Sequence, residues 1–191
     1  MPDKKLPLTN MALCSVFGVL AAITGILEGI LGFDAFLPGV RFGFANIFIM
    51  AAFVLYGTRF ALSVMLLRIG LVFLFTGNVT ALLLSFCGGI CAFAGLCLFM
   101  PLYGRKCTLI GISAFSSALH GIGQLTAAFF LTNAPVFWYL PLLCTLSACT
   151  GILNGFLLDR LLPLFPENIR KKARFPLLYT SESIPKSRKG T

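Results

Sequence analysis

Six apolar runs, separated by short polar or glycine- and proline-bearing turns, set the limits on what this chain can become. A helix that crosses a bilayer needs about 20 mostly apolar residues. Runs near that length begin at about residues 11, 43, 60, 79, 107 and 137 and end at about residues 31, 56, 75, 100, 131 and 162. The second is short for a span and can begin inside the loop that precedes it. With 58% hydrophobic and 11% charged residues, against roughly 25% charged for a soluble domain, lipid is the solvent for most of the chain. The expectation is an all-α integral membrane protein, a bundle of six transmembrane helices. A polar lead (residues 1–10) precedes the helical domain (11–162), and a basic tail (163–191) follows it. The apolar run after Lys4 and Lys5 is too long for a signal-peptide core and has no A-x-A end, so it reads as a retained first helix.

The net charge of +9 does not mark a nucleic-acid binder, because the cations lie in short loops and at the ends rather than on one surface. Their order is a topology signal. With a cytoplasmic N-terminus, Arg59, Arg105, Lys106, Arg160 and the cluster from Arg170 to Arg174 all fall inside, and only Arg41 falls outside. This partition predicts a bacterial cytoplasmic membrane protein with both termini in the cytoplasm. The seven cysteines lie almost wholly in apolar runs and read as small hydrophobes. Cys87 and Cys91 stand one helical turn apart without a nearby histidine, so no metal site and no disulfide is expected.

Polar residues inside the apolar runs need partners, because lipid offers none. Glu28 and Arg68 are the charged pair among them, and two readings stand. They are a fixed pair that sets helix packing, or they contact a ligand. In the fifth run Ser113, Ser116, Ser117, His120 and Gln124 follow the helical period and form one stripe. Ser147, Thr150 and Asn154 form a weaker stripe in the sixth. With Arg41, Asn46 and Asn78, these residues can line one pocket opening outward. The candidate binding residues are therefore Glu28, Arg41, Asn46, Arg68, Asn78, His120, Gln124 and Asn154. An anionic or amphipathic organic ligand fits the two arginines loosely.

Small residues recur at one-turn spacing in the first run. Gly18 and Ala22 share one row; Ala21, Gly25 and Gly29 share another. Such rows let a second helix approach closely in lipid. That second helix belongs either to this chain or to a docked partner subunit. No Walker motif, G-x-S-x-G elbow, H-E-x-x-H or Asp-rich stretch is present, which points away from an enzyme and from ATP use by the chain itself. No cofactor is expected.

The run Pro38-Gly39-Val40-Arg41-Phe42-Gly43-Phe44-Ala45-Asn46 resembles the P-G-x-[KR]-x-G-x-A-N signature of the Gx transporter family, also labelled heptaprenyl diphosphate synthase component I. Glu28, Leu66-Leu67-Arg68, Gly77-Asn78, Gly88-Gly89 and the run from Ala118 to Gln124, which resembles A-x-H-x-x-G-Q, follow in the same order. Phe42 and Phe44 stand where smaller aliphatic residues are usual. The family is similar to the substrate-binding S components of energy-coupling factor (ECF) vitamin transporters. The resemblance implies six helices, cytoplasmic ends and an outward ligand pocket. It also implies a first helix that docks a transmembrane coupling protein driven by a pair of ATPases. The expected function is uptake of a vitamin-like or anionic organic molecule. The alternative, from the synthase label, is a non-catalytic accessory protein of isoprenoid, quinone or flavin-linked redox metabolism. Prenyl transfer needs Mg²⁺-binding acids that this chain lacks.

Overall fold

The computed structural model describes residues 8–30, 43–104, 106–132 and 136–165, and these are almost wholly helical. Six α-helices follow one another: α1 Leu8–Ile30, α2 Asn46–Tyr56, α3 Thr58–Thr76, α4 Val79–Phe99, α5 Leu109–Thr132 and α6 Leu140–Leu161. Single 3₁₀ turns follow α4 and α6 and precede α6. Five of the six helices are long and apolar enough to cross a membrane. The exception is α2, with 11 residues. At 1.5 Å per residue it reaches about 17 Å, roughly half of a 30 Å hydrocarbon core. The sequence reading therefore holds for the six-helix bundle and for the short second helix, and observed helix ends fall within a few residues of the expected ones.

The turns are made by residues chosen for backbone shape. Gly57, at φ +91°, joins α2 to α3 without an intervening loop. Gly77 closes α3 in the left-handed region at φ +63°, and Asn78 opens α4 by accepting the Ala81 N–H at 3.0 Å. An L side chain is disfavoured at both glycines.

Apolar residues form two clusters at opposite ends of the bundle. The larger gathers Leu55, Phe60, Met100, Leu109, Leu158 and Leu162 at the end where the α2–α3 turn and the α4–α5 loop meet the close of α6. The smaller joins Leu84 of α4, Leu125 and Ala128 of α5 and Leu143 of α6 toward the other end. The polar layer lies between them. Arg59, Lys106 and Arg160 are all exposed and sit at the first of these ends, and Arg160 stacks on the Phe156 ring at 5.3 Å. Arg41, Arg105 and the basic tail from residue 166 onward lie outside the described residues.

Helices α4, α5 and α6 touch backbone to backbone. A methyl added at Gly123 of α5 would lie 2.7 Å from the Cys87 carbonyl oxygen. One at Gly151 of α6 would lie 2.7 Å from the Ser113 carbonyl oxygen, and one at Gly155 would lie 2.6 Å from the Ile110 Cα. Small residues are used for this approach in lipid, where dispersion contacts hold helices together.

The small-residue rows of α1 are used inside the chain. Ala21 and Ala22 are buried at 0% and 3% exposure. Gly18 and Gly25 are buried as well. A methyl at Gly18 would meet Leu67 of α3 at 2.5 Å. The docking reading of Gly18, Ala21, Ala22 and Gly25 is corrected: α1 turns these residues toward its own neighbours. Gly29 alone in the set has open space, with nothing within 4 Å of an added methyl. The outward face of α1 is instead Val16, Val19, Leu20, Ile23 and Leu27, the surface that lipid covers.

Candidate functional site

The site is built on the turn that starts α2. Gly43 has φ +90°, and the hydrogen bonds from Asn46 N–H to the Gly43 carbonyl and from Ile47 N–H to the Phe44 carbonyl wind the chain into the helix. No side chain of the turn caps these first amides. Glu28, in the last turn of α1, does so from outside. Its carboxylate accepts the Gly43 N–H at 3.4 Å and the Ala45 N–H at 3.2 Å. The Phe44 N–H also faces it. A helix N-terminus carries partial positive charge from its unsatisfied amides, so an anion is stabilised there. Glu28 is thereby held at 4% exposure.

Arg68 projects from the middle of α3 at 1% exposure. Its Nη1 donates to the Asn46 Oδ1 at 3.3 Å, and its charge attracts the Glu28 carboxylate. The two side chains are tied through the Gly43–Asn46 turn, whose amides donate to the Glu28 carboxylate and whose Asn46 Oδ1 accepts from Arg68. From α6, the Asn154 Nδ2 donates to the Gly43 carbonyl at 3.0 Å. From α5, His120 lies beside the same turn, its Cδ2 3.6 Å from where a Gly43 methyl would stand. From α4, Gly88 clears room for His120 and Gln124: a methyl there would lie 2.9 Å from the His120 Cε1 and 2.7 Å from the Gln124 Cγ.

Five of the six helices thus supply side chains to one polar layer, and α4 supplies the clearance at Gly88. Glu28, Asn46, Arg68, His120, Gln124 and Asn154 are each at or below 9% exposure. The α5 stripe faces inward along its whole length, since Ser113, Ser116 and Ser117 are buried too. Ser116 Oγ donates to the Ala92 carbonyl of α4 at 2.7 Å. Ser147 of the α6 stripe is fully buried, and Thr150 is partly buried and bonds back to the Ser147 carbonyl.

One expectation changes. Asn78 is exposed, at the start of α4, where its side chain is spent on the Ala81 amide. A capping asparagine in a turn is a local structural device, and it stands away from the polar layer. Arg41 falls outside the described residues. A cavity lined by Asn46, Ile49, Met50, Phe93, Ser116 and Ser117, among others, has room for about one water molecule. The sequence reading missed the role of the Gly43–Ala45 amides as the seat of Glu28. The signal was present: a glycine turn leading into a helix offers free N–H groups to any nearby anion. It also missed Gly88 as the clearance for His120.

Among the described residues no group of three metal-ligating side chains occurs, and the seven cysteines are free thiols.

Residues 17–161 match the protein family described as heptaprenyl diphosphate synthase component I. The chain belongs to this family. The match runs from the middle of α1 to the last residue of α6 and takes in each residue of the polar layer. Curated proteins and solved structures gave no match. For this component I family member, the shared segment is the membrane bundle itself.

Proposed function

We propose that this protein is the substrate-binding membrane subunit of a small-molecule uptake system, powered by a separate ECF-type coupling protein and its pair of ATPases. The observation that carries this reading is the mid-bundle polar layer drawn from five of the six helices. A bundle held by glycine contacts and two apolar clusters needs no such layer to pack. Ionisable groups at this depth are costly and are by default functional. The chain has no phosphate-binding loop of its own, so the energy for uptake comes from a partner. The membrane is the bacterial cytoplasmic one, with both termini on the cytoplasmic side as the cation pattern requires.

Since α1 spends its small-residue rows within the chain, the coupling protein meets the bundle through other surfaces. The test is purification from the native membrane in mild detergent. Co-purification of a transmembrane coupling protein with two ATPases, together with a bound small molecule, is the expected result. Absence of both, under conditions in which a known substrate-binding subunit retains them, overturns the reading.

A second reading is favoured by the family description alone: a non-catalytic accessory protein of prenyl diphosphate synthesis, and so of quinone or flavin-linked redox metabolism. The chain holds six carboxylates in all, without an Asp-rich motif, so it would assist rather than catalyse. A knockout that loses long-chain quinone while retaining all uptake would favour this role over the first.

A further inference from the structure

Asn46, Ser116 and Ser117 line one small cavity where α2, α4 and α5 meet, with room for about one water molecule. Arginine can only donate, so the Asn46 oxygen faces Arg68, and the amide Nδ2 is left to find an acceptor elsewhere. Among the described residues, Asn46 Nδ2 and Ser117 Oγ are buried without a hydrogen-bond partner. Asn46 is 9% exposed and Ser117 1%. Ser116 has spent its hydroxyl hydrogen on the Ala92 carbonyl of α4 at 2.7 Å, so its oxygen can still accept. Ile49, Met50, Phe93 and Leu96 supply apolar walls. A small cavity stays dry when all its walls are apolar, and holds water when two to four polar groups face it.

We propose that one ordered water molecule fills this cavity as a built part of the fold. It accepts from Asn46 Nδ2, exchanges a hydrogen bond with Ser117 Oγ and donates to Ser116 Oγ. The donors and acceptors present fit water in size and in kind. An amide N–H calls for an acceptor, a hydroxyl takes either role, and the Ser116 oxygen calls for a donor. Water meets all three, which is about the number of bonds a buried water makes. A monatomic cation would instead be repelled by the amide hydrogens of Asn46. A buried amide or hydroxyl without a partner is costly, and a water-mediated bond is nearly as good as a direct one. The water ties the first turn of α2 to α5 and, through the Ser116 bond to Ala92, to α4. Glu28, Arg68 and Asn154 already tie the same turn to α1, α3 and α6. The short helix is then held at its start by every other helix of the bundle. The water belongs to the folding of the bundle and is in place whether or not the bundle carries a substrate.

The experiment uses the full isotopically labelled chain in liposomes, with water itself as the probe. Proton-detected solid-state NMR reads the transfer of magnetisation from water protons to the Asn46 side-chain amide. A cross-peak between that amide and water is expected in the wild type, and its absence would overturn the proposal. Thermal unfolding of Ser117→Ala reads the bond from the other side. A hydroxyl that holds a water is lost at a cost, so the variant should unfold about 2 °C or more below the wild type. A buried hydroxyl that holds nothing is better removed, so a Ser117→Ala that unfolds at or above the wild-type temperature would overturn the proposal as well. If the variant does not fold, the wild-type cross-peak alone decides.

Discussion

Glu28 and Arg68 make opposite use of one turn: the acid takes its amides and the base takes its asparagine. Removing Arg68 strands the Glu28 carboxylate among groups arranged for a charged layer, and breaking a buried pair costs about 3–5 kcal/mol. Arg68→Ala should therefore unfold well below the wild type, while Arg68→Ala combined with Glu28→Ala should recover part of the loss. Thermal unfolding in one detergent checks this, and a double variant worse than either single one would show that the charges are not coupled. Gly43 is the second sensitive point. Its φ of +90° and the 2.9 Å approach of Asn46 Nδ2 to an added methyl leave no room for a side chain. Gly43→Ala should cost about 1–2 kcal/mol from the backbone alone, with a further loss as Asn46 is pushed off Arg68. The burial of Glu28 and Arg68 was legible from sequence, because lipid offers a charge nothing. Their linkage through backbone amides was not, since amides carry no sequence signature.

At the scale of elements, α5 is the central helix of the α4–α5–α6 half, with α4 and α6 pressed against it at glycines. Gly151→Ala should destabilise the bundle by about 1–3 kcal/mol, because the methyl would meet main-chain atoms that cannot turn aside. Gly70→Ala is the matched control. An added methyl there meets nothing within 4 Å, and alanine is favoured over glycine in a helix by up to about 1 kcal/mol. A larger loss at Gly70 than at Gly151, measured by unfolding in the same detergent, would contradict this packing. The stripe from Ser113 to Gln124 could be read in advance, since its period fixes a face and lipid fixes the direction. The rows on α1 could not, because spacing identifies a close approach without identifying the partner. Only the contact of Gly18 with Leu67 assigns it to this chain. Asn78 misled for a related reason: a polar residue at a helix start serves the cap as readily as a site.

At the scale of the whole molecule, the bundle is two apolar clusters with a polar layer between them, and we propose that the cations at one end set its orientation. Reporter fusions should place Lys106 in the cytoplasm and Trp138, 87% exposed just before α6, on the opposite side. A cytoplasmic Trp138 would invert the topology and turn the polar layer's approach to the wrong face. The central claim is that the layer around Gly43–Asn46 is a ligand site. Native mass spectrometry of the full chain released from its own membrane tests this most directly. One small molecule is expected bound to the wild type at a 1:1 ratio with the chain, and lost in Asn46→Leu when that variant is folded. A wild type that carries lipid alone, or a small molecule retained unchanged by folded Asn46→Leu, would contradict it.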